Sequence, residues 1–154
     1  MKIRLAALLA CMALSAPLAA QQFDTISFGV DGGYPPFDVL APSGEITGFD
    51  IDIANALCTQ LKAKCVFVKQ PFESMIAALN AHKFDAIIAS LNITDERKKE
   101  VDFTDRYYRS AAQLVARKGS PLLPDAASLK GKTVGVQTGS THEAFAKANC
   151  CLLY

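Results

Sequence analysis

The stretch TISFGVDGGYPPF, residues 25–37, decides the fold. Its first six residues are β-rich and extended, whereas the glycines and prolines that follow Asp31 cannot continue a strand. A strand therefore empties into a loop. After a turn at Pro42-Ser43-Gly44, Ile53, Ala54, Leu57, Cys58 and Leu61 recur at helical spacing, which predicts an amphipathic helix from Asp50 to about Ala63. Cys65 to Lys69 reads as the next strand. Met75, Ile76 and Leu79 mark a second helix from about Phe72 to Ala81, and Phe84 to Ala89 is an apolar strand broken only by Asp85. This alternation with short connections predicts an α/β fold with right-handed crossovers and a mostly parallel sheet covered on both faces.

Ligands of such sheets bind beyond the carboxyl ends of the strands. That rule selects Asp31 to Phe37, Gln70 to Phe72, Ser90 to Arg97 and Gln137 to Thr141. In the third loop Thr94 suits a helix N-cap, with Asp95 and Glu96 in the first turn. From Ser110 the pattern changes. Ala111 to Ala116 and Thr133 to Val136 read as strands and Thr141 to Asn149 as a helix, so a second lobe begins but is too small to bury a core of its own.

The 154 residues are 51% apolar, with 16 basic against 15 acidic side chains. A net charge of +1 without a basic block excludes a polyanion or nucleic-acid footprint. The average mixes two segments. Residues 1–20 hold no acid, start with Lys2 and Arg4, continue in an apolar run from Leu5 to Ala16 and end in small residues, the pattern of a secretory signal peptide. The run is shorter than the roughly 20 apolar residues a membrane span needs. Without Lys2 and Arg4 the balance becomes 14 basic to 15 acidic.

Export permits disulfides, and Cys58 and Cys65 stand across a helix end and a strand start, where a bridge is expected to act as a staple. Neither His82 nor His142 lies at metal-ligand spacing from these thiols, so no metal is expected. Nor is there a nucleophile elbow, a P-loop or a dinucleotide fingerprint, and no catalytic residue or cofactor is assigned.

The strand-end loops offer recognition groups instead. The Arg97 guanidinium suits bidentate pairing with a carboxylate, although Arg97 to Glu100 would also serve as a solvated charge run. Asp31 beside Tyr34 and Phe37 could hold a cationic group, or be a turn aspartate. Tyr34 and Phe72 could equally be core aromatics. These readings gain weight together, when all the loops face one crevice.

The run from Ile26 to Asn149 resembles the periplasmic polar amino-acid-binding proteins of ABC importers, especially the lysine/arginine/ornithine, histidine and arginine binders. The resemblance is carried by Asp31 with Tyr34-Pro35-Pro36-Phe37, Gly48-Phe49-Asp50-Ile51-Asp52, Cys58 with Cys65, Ile93-Thr94-Asp95-Glu96-Arg97, Phe103-Thr104, and Leu129-Lys130-Gly131-Lys132-Thr133-Val134-Gly135-Val136. It implies a periplasmic-binding-protein type II-like fold of two lobes that close over a free amino acid. Carried over, Arg97 would clamp the α-carboxylate, aided by main-chain N–H groups at Asn92 and Thr141. Ser90 would accept from the α-ammonium. Tyr34 and Phe72 would sandwich the ligand side chain, and Asp31 would pair with its positive end.

Asn92 departs from the serine common in the lysine/arginine/ornithine binders, and His142 follows Ser140-Thr141 as in some arginine binders. The family's second lobe runs on well beyond the length seen here, and Cys150 to Tyr154 match nothing in it. The expectation is thus a signal peptide (1–20), a nearly complete first lobe (21–110) and the start of a second (111–154), C-terminally truncated with an atypical tail. The expected activity is capture of a cationic amino acid in the periplasm by a monomer, for delivery to a membrane permease. Its rivals are a fragment without binding activity and an enzyme on the same fold.

Overall fold

The computed structural model describes residues 23–149. The signal-peptide reading of residues 1–20 and the tail after Asn149 lie outside the described residues. The chain runs through β1 (Thr25–Val30), β2 (Gly33–Tyr34), β3 (Asp38–Leu40), β4 (Ile46–Thr47), α1 (Phe49–Leu61) and β5 (Lys64–Lys69). A 3-10 turn at Phe72–Ser74 leads into α2 (Met75–Asn80), followed by β6 (Ala86–Ile87), a 3-10 turn at Arg97–Lys99, α3 (Ala126–Leu129) and α4 (Thr141–Asn149).

β1 lies between β5 and β6, parallel to both, with Thr25 opposite Lys64 and Phe28 opposite Ala86. The β6 ladder reaches past its two strand residues, since Asp85 N–H donates to Ser27 O at 2.9 Å and Ile88 N–H to Gly29 O at 3.0 Å. Side chains along a strand alternate between the two faces. Phe28 and Val30 accordingly pack with Ile51, Ala54 and Cys58 of α1, while Met75 and Ala78 of α2 pack with Phe84 and Ala89. Between them Gly29 leaves room for the Phe84 ring, because a Cβ there would lie 2.5 Å from Phe84 Cζ. The parallel sheet covered on both faces is thus present.

At its C-terminus α1 closes on Lys62 in the left-handed conformation, whose N–H returns to the carbonyls of Cys58 and Thr59. That turn brings Cys58 and Cys65 to a Cα separation of 5.8 Å, and the two are disulfide-bonded.

Several expectations are corrected. Between β1 and α1 the chain is not plain loop: β2, β3 and β4 form a small antiparallel sheet, its turn closed by Gly44 N–H on Ala41 O at 2.9 Å. Thr94 does cap, accepting from Arg97 N–H at 3.2 Å, but a single 3-10 turn follows instead of a helix. Arg97-Lys98-Lys99-Glu100 has no apolar face to bury, and short helices depend on such packing. Residues 111–116 and 133–136 form no strands, because no neighbouring backbone pairs with them among the described residues. Val115, 88% exposed, has the propensity for a strand but no surface to fit. Beyond residue 110, only Ser140 and Ala146 are buried among the described residues.

Candidate functional site

Every strand of the parallel sheet points its carboxyl end at one region. β1 delivers Asp31 and Tyr34, β5 delivers Phe72, and β6 delivers Ser90, Asn92 and Arg97. With Thr141 at the start of α4, all seven line a single cavity of about 50 Å³, together with Gln137, Ser140 and His142. The sequence-derived set is therefore brought together. A larger cleft of about 460 Å³ lies alongside, between β6 and residues 101–110, and shares Ser90, Asn92 and Tyr108 with it. The smaller cavity holds the chemistry.

Arg97 is held by two carbonyls: Nη1 donates to Asn92 O at 2.8 Å and Nη2 to Gly139 O at 2.9 Å. Its guanidinium carbon stands 5.6 Å from the centre of the Phe72 ring, within cation–π range. Burial lowers its pKa from the usual value. It remains charged, given an intrinsic pKa above about 12. The Asn92 side chain donates to Thr141 Oγ1 at 2.8 Å, so it bridges two of the loops while its main chain serves Arg97.

The Asp31 Oδ2 accepts from Gln137 Nε2 at 3.2 Å. Burial is the largest influence on this carboxyl and raises its pKa, with the neighbouring Asp38 carboxylate acting in the same direction. No cation is paired with it among the described residues. Tyr34 stacks on Phe37 at 5.2 Å between ring centres, and Phe37 on Tyr108 at 4.8 Å, so the Tyr34 side of the cavity is a wall of aromatic rings.

Two buried carboxylates support these groups, and sequence reasoning assigned a role to neither. Asp38 accepts from the main-chain N–H of Tyr34 at 2.9 Å and of Asp31 at 3.3 Å, which fixes the loop carrying both. Asp50, at the start of α1, accepts from the Ser90 hydroxyl at 2.9 Å and from the Tyr107 phenol at 3.0 Å. Burial raises the Asp50 pKa, against the opposing effect of those hydrogen bonds. Aspartate is read as a surface residue by default. The one sequence-level hint was the position of Asp50 next to the glycine and phenylalanine that open α1.

A guanidinium fork, an acceptor hydroxyl and an unpaired carboxylate on one cavity form a site for a small molecule with both an anionic and a cationic end. The model of the bacterial extracellular solute-binding proteins, family 3, matches residues 26–150. The chain belongs to that family. Among family 3 proteins it is 44% identical over 147 residues to the L-arginine-binding protein of Pseudomonas aeruginosa, covering 96% of this chain and 56% of that one. It is 46% identical over 123 residues to the lysine/arginine/ornithine-binding periplasmic protein of Escherichia coli, covering 80% and 47%. A solved structure of an ancestral arginine-binding protein bound to arginine superposes with a TM-score of 0.79 at 40% identity, covering 83% of this chain and 57% of that one. The chain thus spans about half the length of these family 3 relatives.

Proposed function

We propose that the protein is a periplasmic solute-binding protein that captures a free amino acid with a cationic side chain and presents it to the membrane permease of an ABC importer. One observation carries the reading: residues from four separate loops converge on a cavity that holds both Arg97 and the unpaired Asp31 carboxylate. A zwitterion bearing an extra cation matches that charge pattern. Its α-carboxylate would replace the neutral carbonyl at Gly139 on Arg97 and gain charge-assisted hydrogen bonds. Main-chain N–H groups at Asn92 and Thr141 would support the carboxylate, and Ser90 would accept from the α-ammonium. Tyr34 and Phe72 would hold the aliphatic stem, with Asp31 on the cationic head in place of the Gln137 amide.

Residues 21–110 then form the first lobe and residues from 111 onward belong to the second. The names of the relatives support both the arginine-type ligand and the periplasmic location. No acid/base pair on the cavity supports a reaction, so the role is binding rather than catalysis. Titration of the purified chain with arginine, lysine and glutamate by calorimetry tests the reading. Saturable heat with the two cationic ligands and none with glutamate is expected.

One observation favours a second reading, that the 154-residue chain by itself binds nothing. The exposed segments 111–116 and 133–136 have no partner strand among the described residues, so the wall carrying Gln137 and Thr141 is weakly held. Absence of heat with every ligand, together with native circular dichroism, selects it.

A further inference from the structure

Asp50 is fully buried at the second residue of α1, and no cation pairs with it among the described residues. Its carboxylate is instead surrounded by donors. The Ser90 hydroxyl and the Tyr107 phenol reach it at 2.9 and 3.0 Å, and the Ser90 main-chain N–H also bonds to it. Ser90 has φ 51°, a left-handed conformation that L side chains adopt at a cost and keep only where the surroundings over-determine it. A carboxylate gripping both the N–H and the hydroxyl supplies that constraint.

We infer that Asp50 is the positioning residue of the α-ammonium subsite, fixing Ser90 as a pure hydrogen-bond acceptor toward the cavity. The inference rests on the amino-acid-binding reading above. An ionised carboxylate can only accept, so the hydrogen between the two side chains belongs to Ser90. A serine hydroxyl has one donor and two acceptor lone pairs. With the donor committed to Asp50, only lone pairs remain for the cavity that Ser90 lines. An ammonium group, which has donors and no acceptor, is the complement of that surface. Freed from Asp50, the hydroxyl could rotate and offer its hydrogen to the cavity, and the preference for an ammonium would fall.

Through Tyr107 the same carboxylate reaches the aromatic wall. Tyr107 packs at 5.2 Å against Tyr108, which lines the cavity. Asp50 therefore ties the loop after β6 to the segment leading out of the parallel sheet.

The test compares arginine with 5-guanidinopentanoate, which keeps the carboxylate and guanidinium but lacks the α-ammonium. In Asp50→Asn, arginine affinity is expected to fall about tenfold or more, the scale of one hydrogen bond to a charged group. Affinity for 5-guanidinopentanoate is expected to stay unchanged. Equal losses on both ligands, or no loss on either, overturn the proposal. Should Asp50→Asn not fold, Ser90→Gly, which suits the positive φ and removes the hydroxyl, is expected to erase the same preference; an unaltered preference overturns the proposal. Amide hydrogen exchange needs no ligand. The Ser90 amide of Asp50→Asn is expected to exchange about tenfold faster while that of Val30 does not change, and equal Ser90 protection overturns the positioning role. If the unaltered protein binds neither compound, the binding reading fails, and the exchange result still decides the role of Asp50.

Discussion

Gln137 donates its side-chain amide to the Asp31 carboxylate at 3.2 Å, across a sequence separation of 106 residues. The contact joins the loop after β1 to the loop before α4 through a neutral donor on a charged acceptor. A cationic ligand head is a stronger partner for the same carboxylate. Arginine should therefore displace Gln137 from Asp31, and Asp31→Asn should lower arginine affinity about tenfold or more while changing glutamine affinity much less. Competition calorimetry measures both; equal losses would remove Asp31 from the side-chain subsite.

The pH dependence follows from the same carboxylate. Burial and the Asp38 charge raise the Asp31 pKa above that of an ordinary aspartate. A carboxyl with a raised pKa loses its charge early as pH falls, so arginine affinity should begin to drop above the usual carboxylate range. Affinity that stays level from neutral pH down to the ordinary aspartate pKa contradicts this.

For stability the sign reverses. Folding raises the Asp31 pKa, so the ionised form destabilises the fold at neutral pH, and that cost disappears once both folded and unfolded states are protonated. Asp31→Asn should accordingly raise the thermal midpoint at pH 7 and leave it unchanged at acid pH. A lower midpoint at pH 7 would count against the electrostatic account.

Reduction of the Cys58–Cys65 bridge should cost roughly 2 to 3 kcal/mol, on the chain-entropy scale for so short a loop. Chemical denaturation with and without reductant gives the figure. No change in the midpoint would mean that α1 and β5 hold their register without the bridge.

Gly29→Ala probes the sheet packing. A Cβ at Gly29 would meet the Phe84 ring at 2.5 to 2.8 Å, and forcing that ring aside should cost about 1 to 3 kcal/mol. Denaturant melts measure the loss, and wild-type stability would show that the second face of the sheet is loosely packed.

The parts of the fold legible in the sequence are those where periodicity runs long enough to be counted. β1, α1 and β5 followed from strand runs and from the helical spacing of Ile53 through Leu61, and they fall within two residues of expectation. β2, β3 and β4, of two or three residues each, are too short for any period to register. Segments 111–116 and 133–136 failed for another reason: strand propensity is a fit to a neighbouring surface, and Val115 and Val134 have no strand beside them. In the site, the groups expected to touch a ligand were legible because strand-end loops collect them. The groups beneath were not. Asp38 and Asp50 look like surface acids in a one-dimensional string, and the stack of Phe37 on Tyr108 joins residues that only folding brings together.

The central claim is that Arg97 holds the carboxylate of a cationic amino acid. Calorimetric titration of the chain and of Arg97→Ala with arginine tests it most directly. Two hydrogen bonds to a charged group are worth about a hundredfold or more in affinity. The account predicts saturable one-to-one binding by the unaltered chain and a loss of at least that size in the variant. Equal arginine affinity for the two proteins would contradict it.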